Sequence, residues 1–125
     1  MDFEKHVVYW SSSALEDIEA AEVLLDAKRA RHGLFFAHLA LEKILKAHFC
    51  KESKDIAPKI HNLLALSFKI HLEMPSEQRE FLARFDRYQI EGRYPVSLPA
   101  PVRIEIAREE MRLAKEVLEW LKARL

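Results

Sequence analysis

The sequence has a single cysteine, Cys50, and only two glycines in 125 residues, and each scarcity excludes something. One thiol cannot close an internal disulfide, so the fold must rest on its core, and this usage agrees with a reducing compartment. No CxxC, HExxH or Cys/His cluster with zinc spacing occurs, which sets aside a structural metal, and no cofactor is implied. A Walker loop and a GxGxxG are absent too, so side chains and helix ends would have to hold any phosphate. No apolar run approaches about 18 residues and no basic-then-apolar leader is present, so no membrane span or export is expected and the location should be cytoplasmic.

What is abundant is helix-forming material. Hydrophobic residues make up 50% and charged residues 32%, a balance that suits long, surface-charged helices and not disorder or a turn-rich β fold. At this length the chain is expected to be one domain, residues 1–125, with a core of its own. All-helical domains of this size often gain stability by dimerising.

The formal net charge is zero, but its distribution is uneven. Residues 1–27 hold seven acids against Lys5 alone, and residues 28–61 hold eight bases against three acids. Either the first two helices are antiparallel neighbours whose opposite charges attract, or the basic stretch is a patch for nucleotide or RNA phosphates.

In chain order, Phe3, Val7, Trp10, Ala14, Ile18, Ala21 and Leu25 recur in steps of three and four, predicting an amphipathic helix from about Asp2 to Ala27. Ser11-Ser12-Ser13 with Glu16 could start a helix afresh, but the apolar phase crosses the serines unchanged, which favours continuity. Lys28 to Gly33 reads as a basic turn with Gly33 as its left-handed residue. A central helix follows, roughly Leu34 to Ser53, whose continuation Pro58 prevents. It is apolar on most of its circumference except for one stripe of His38, Glu42 and Lys46. A third helix is expected over His61 to Glu73 and a fourth over Glu77 to Tyr88, capped by Ser76 and facing the core with Phe81, Leu82 and Phe85. Gln89 to Pro101 reads as the one long irregular segment, and Val102 to Leu125 as a last helix with a seam at Ile104, Ala107, Met111, Ala114, Leu118, Leu121 and Leu125. The expected fold is all-α, an up-and-down bundle of about five helices, three long and two short.

Trp10 with Ala14 and Asp17, the central AHLALEKILKA (Ala37 to Ala47), Pro58 with His61-Asn62-Leu63, and Arg93-Tyr94-Pro95 together resemble the HEPN domain, named for higher eukaryotes and prokaryotes nucleotide-binding. The resemblance covers nearly the whole chain. It implies a helical bundle that forms homodimers, in many prokaryotic cases encoded beside a minimal nucleotidyltransferase. One branch of the family consists of metal-independent ribonucleases, often toxins, with an Arg-x(4 to 6)-His motif. The other branch lacks the motif and binds nucleotides or serves as a partner subunit. Arg31 and His38 meet the spacing as a catalytic pair, but they open the second helix, whereas the family motif sits near the start of a later one. No histidine follows Tyr88, which argues against the nuclease branch.

Three readings follow. The first is a protein that binds an ATP- or GTP-type nucleotide or a nucleotidyltransferase partner, as in toxin-antitoxin pairs, through a groove lined by Lys43, Lys46, Arg93 and Tyr94, with Glu42 and His61 beside it. An arginine fork and an aromatic plane suit a phosphate and a base. The second is a ribonuclease toxin acting on RNA through Arg31 and His38, a histidine to move the proton and an arginine to stabilise the charged phosphorus centre. The third is a scaffold dimer without a ligand. For Lys46, a salt bridge to Glu42 one turn earlier explains the spacing at least as well as a phosphate does. For His61 and Asn62, capping of the third helix does the same.

Overall fold

The computed structural model describes residues 2–89 and 102–125. Helix α1 (Phe3–Asp26) begins at Asp2, whose carboxylate accepts from the backbone N–H groups of Glu4 and Lys5 at 3.1 and 3.3 Å. These donors have no partner within the helix, so the cap removes a cost at its start. The helix crosses Ser11-Ser12-Ser13 without a break, as the apolar phase predicts, and buries Ala14, Ile18, Ala21 and Leu25.

The turn that follows differs from the expectation. Lys28 and not Gly33 takes the left-handed backbone, with φ 62°, and helix α2 (Ala30–Ser53) starts four residues early, so that Gly33 lies inside it. The glycine serves packing there. A Cβ at Gly33 would stand 3.0 Å from the Ala21 carbonyl oxygen and 3.3 Å from the Leu25 nitrogen, so this is where the backbones of α1 and α2 approach closely. At its far end α2 stops at Lys54, whose φ of 52° and N–H bond to the Cys50 carbonyl form a left-handed cap before Pro58 is reached.

Helix α3 is Leu63–Ser67, much shorter than the expected span of His61 to Glu73. Its last turn tightens through i to i+3 bonds from Phe68 to Ala65 and from Lys69 to Leu66. Beyond it, Arg79 donates to the Ser67 hydroxyl and the Leu72 carbonyl, which holds the following segment in a non-helical course while Ile70 and Met74 are buried. Helix α4 (Ser76–Phe85) starts after Pro75, whose carbonyl accepts from Gln78 and Arg79; Ser76 is the first helical residue and not the cap. Phe81, Leu82 and Phe85 face the core as expected. A turn at Asp86 ends α4 ahead of the expected Tyr88, and helical backbone resumes over residues 87–89. Most of the irregular segment expected over Gln89 to Pro101 lies outside the described residues. Helix α5 (Ile104–Ala123) buries Ala107, Met111, Ala114, Val117, Leu118 and Leu121; of the expected seam Ile104 and Leu125 are only half-buried, and Val117 is added.

The described residues are therefore all-α, with three long helices and two short ones. Side-chain pairs fix the directions. Lys43 meets Ser13 and Asp17, and Gly33 meets Ala21 and Leu25, so α1 and α2 are antiparallel. His48 meets Leu121 and Lys51 meets Leu125, so α5 runs parallel to α2. Glu22 with Lys115 and Asp26 with Arg108 place α5 antiparallel to α1. The central α2 is buried on both flanks, and Leu34, Ala37, Ala40, Leu41, Ile44 and Leu45 are fully covered.

Gly33→Ala tests the close approach. Alanine gains about 1 kcal/mol of helix propensity, but overpacking against rigid backbone costs about 1 to 3 kcal/mol. Urea unfolding should show a net loss of stability; a more stable variant would mean that the two helices separate easily.

Candidate functional site

The polar stripe of α2 enters the interior. His38 is fully buried, and Glu42 and Lys46 are 4% and 5% exposed. Burial of this kind requires partners, and each side chain has one. His38 Nε2 lies 3.0 Å from Asp86 Oδ1, at the end of α4, and its ring stacks on Phe85. Asp86 also accepts from the backbone N–H of Leu63 at 2.7 Å and, more weakly, from Leu64 at 3.4 Å. Since its carboxylate is already an acceptor, the His38 Nε2 is the donor. Asn62 completes the start of α3 by accepting from Ala65 N–H at 2.8 Å, the capping role read from sequence.

One turn along, Lys46 Nζ donates to Glu42 Oε2 at 3.0 Å, the acid-before-base pair, and lies 5.3 Å from the centre of the Trp10 ring. The same carboxylate oxygen is 3.1 Å from His61 Nδ1. His61 is the exit of this network to solvent: its side chain is 49% exposed while its carboxylate partner is 5% exposed. With Nδ1 donating to the carboxylate, the ring presents Nε2 outward. Inside, His38 Nδ1 and Glu42 Oε1 face each other at 3.9 Å, too far for a hydrogen bond, and both lack a partner among the described residues.

The remaining candidates are placed differently. Lys43 is held against α1 by Asp17 at 2.8 Å and Ser13 at 2.7 Å. Arg31 is exposed in the first turn of α2, whereas His38 is enclosed two turns on. Arg93 and Tyr94 lie outside the described residues. The structure thus brings together His38, Glu42, Lys46 and His61, and it adds Asp86, which sequence reasoning missed. The only signal was an acid between Phe85 and Tyr88 at the end of an apolar stretch.

Two further buried groups bear on the same helix. His48 Nε2 pairs with the Leu121 carbonyl at 2.8 Å, and burial pushes its pKa down, more than that hydrogen bond and Glu52 raise it. Burial raises the Cys50 thiol, which keeps it protonated and unreactive.

A family model described as the HEPN domain matches residues 7–124. The chain belongs to the HEPN family. That places it among nucleotide-binding and ribonuclease-type domains, and no helix among the described residues is long and apolar enough to cross a membrane. The HEPN architecture is shared with a solved structure, the crystal structure of TT1696 from Thermus thermophilus. It superimposes with a TM-score of 0.83 at 23% identity, covering 95% of this chain and 98% of that one, a likeness of fold. No curated protein matches the chain.

Two measurements test this HEPN interior. Asp86→Ala leaves the His38 donor and the Leu63 N–H buried without an acceptor, and hydrogen bonds to a charged group are worth about 1.5 to 3 kcal/mol each. A loss of about 3 kcal/mol or more in chemical denaturation is expected, and a loss below about 1 kcal/mol would remove Asp86 from its central role. The second is pH. Because burial favours neutral His48, its folded pKa lies below the unfolded value of about 6.5, so the unfolded chain binds the proton first as pH falls. The stability His48 contributes is complete above about pH 6.5 and declines below it until the folded pKa is passed. His48→Gln, which keeps a donor for the Leu121 carbonyl, should flatten that part of the decline in unfolding series from about pH 7 to 5.

Proposed function

We propose that this HEPN protein is a nucleotide-binding subunit, a single cytoplasmic domain that forms a homodimer and works beside a minimal nucleotidyltransferase in a toxin-antitoxin type pair. The observation that carries the choice between the branches is the burial of His38. A general base must reach the proton it removes, within hydrogen-bond distance or through one water. His38 is enclosed, its Nε2 is spent on Asp86, and the exposed Arg31 stands in a different environment. The ribonuclease reading based on that pair therefore has only its spacing in support.

For nucleotide binding, the network supports a division of labour. Glu42 and Lys46 are tied to each other and serve to orient His61, while Lys43 fixes α1 to α2. His61, with Nε2 turned outward, is the group that meets the ligand, and Arg93 and Tyr94 supply the phosphate and base contacts. A ligand-free scaffold would need the same internal network, in which His61 satisfies the buried Glu42; the outward Nε2 is the feature that the nucleotide reading uses.

Calorimetric titration with ATP, GTP and AMP decides between these readings. Binding is expected for at least one triphosphate, abolished by Arg93→Ala and weakened about tenfold by His61→Ala, the loss of one hydrogen bond to a charged group. The absence of heat with every nucleotide would overturn the nucleotide reading. Metal-free cleavage of RNA that disappears in a folded His38 variant would restore the ribonuclease one. Light scattering at micromolar concentration should give twice the 14.7 kDa chain mass.

A further inference from the structure

Seven of the described bases stand in ion pairs with described acids: Lys43 with Asp17, Lys46 with Glu42, Arg84 with Glu110, Arg103 with Glu105, Arg108 with Asp26, Arg112 with Glu109 and Glu116, and Lys115 with Glu22. The α1–α2 turn gathers bases that have no such partner. Lys28, Arg29 and Arg31 are exposed, with His32 beside them, and none forms an ion pair or hydrogen bond through its side chain among the described residues. The acid closest in sequence, Asp26, is engaged by Arg108, and no acid stands in the first turn of α2. The other described bases without a partner, Lys5, Lys54, Lys59, Lys69 and Lys122, are dispersed along the chain.

The charges at the turn converge. Lys28, Arg29, Ala30, Arg31 and His32 line one concavity of about 260 Å³ together with Val102. Three fixed positive charges in four residues repel one another, and Lys28 adds a left-handed backbone at φ 62°, which a side chain disfavours and glycine does not. Attraction between the antiparallel helices does not explain them, because the α1 acids that form ion pairs meet Lys43 farther along α2 or, at Glu22 and Asp26, helix α5, and none meets the turn.

We infer that the α1–α2 turn is a docking surface for the phosphodiester backbone of a single-stranded nucleic acid, sharing no residue with the His61 network described above. The lining decides the kind of ligand. It offers three fixed cations, the His32 imidazole and two small aliphatic side chains, all of its polar groups exposed and none held in place to select a base edge, so it holds phosphates and does not read sequence. The exposed position lets a strand pass across the concavity, so that each of the three cations can meet a phosphate. With three phosphates neutralised, log affinity falls with log salt at a slope of about −2, and Kd rises about 20-fold between 50 and 200 mM salt.

Fluorescence anisotropy with labelled 20-mers of uridine and of thymidine tests this on the full chain. Equal, salt-dependent binding of both is expected, since the contacts are with phosphates. In the triple variant Lys28→Gln, Arg29→Gln, Arg31→Gln, affinity at low salt should fall at least about tenfold and the salt slope should approach zero. The control triple Lys5→Gln, Lys59→Gln, Lys122→Gln makes the same change in net charge and should bind as the parent does. Lys28→Gly guards against an effect of folding: it removes a charge where the backbone suits glycine, so stability should hold or rise while affinity falls. Failure of the parent to bind either strand, equal weakening by both triples, an unchanged turn variant, or a strong preference for one of the two sugars would each overturn the proposal. Calorimetry with mononucleotides reports on the other site independently.

Discussion

The Asp86 carboxylate accepts from His38 on α2 and from the backbone N–H groups that open α3, and it does so from the turn that closes α4. Three stretches of chain distant in sequence therefore share one buried acceptor. The short helices depend on it, since α3 has only five residues and cannot hold itself by internal hydrogen bonds. Its start is satisfied from outside by Asp86 and from within by Asn62, and that places His61, the residue just before the cap, over Glu42. The position of the exposed imidazole is thus a consequence of how the interior is tied together.

Charge along the chain divides into two kinds of work. Inside, Glu42 and Lys46 neutralise each other under Trp10, an arrangement that adds little net stability but would be costly to break from one side. On the surface, α1 shares its acids between α2 and α5, and the exposed turn between α1 and α2 is left basic. A neutral protein thus carries local charge, and the net figure says nothing about it.

Much of the architecture could be read from residues alone, because long helices repeat their pattern often enough to be unmistakable. The apolar phase carried α1 through three serines, and the seam of α5 was correct at Ala107, Met111, Ala114, Leu118 and Leu121. The misreadings have local physical causes. Gly33 looked like a turn residue because glycine commonly is one, but here it lets two backbones touch, and the left-handed position went to Lys28, for which a sequence offers no sign. The third helix was drawn too long because the apolar residues continue past Ser67, while a guanidinium from α4 holds the chain out of helical form. In the site, the stripe of His38, Glu42 and Lys46 was visible as a spacing. Its partner Asp86 was not, since capping from another segment leaves no pattern near the helix it caps.

The parallel course of α2 and α5 separates two steps in the history of each molecule. The α1–α2 pair is contiguous, joined by a short turn, and can form as soon as its residues are available. By contrast, the bond from His48 to Leu121 joins residues 73 apart, so docking of α5 must close a long loop before it is rewarded. During synthesis from the N-terminus, the first hairpin emerges well ahead of its third wall. Until residue 121 leaves the ribosome, the flank of α2 around His48 faces water, and a young chain in that interval has an apolar surface that the finished protein hides.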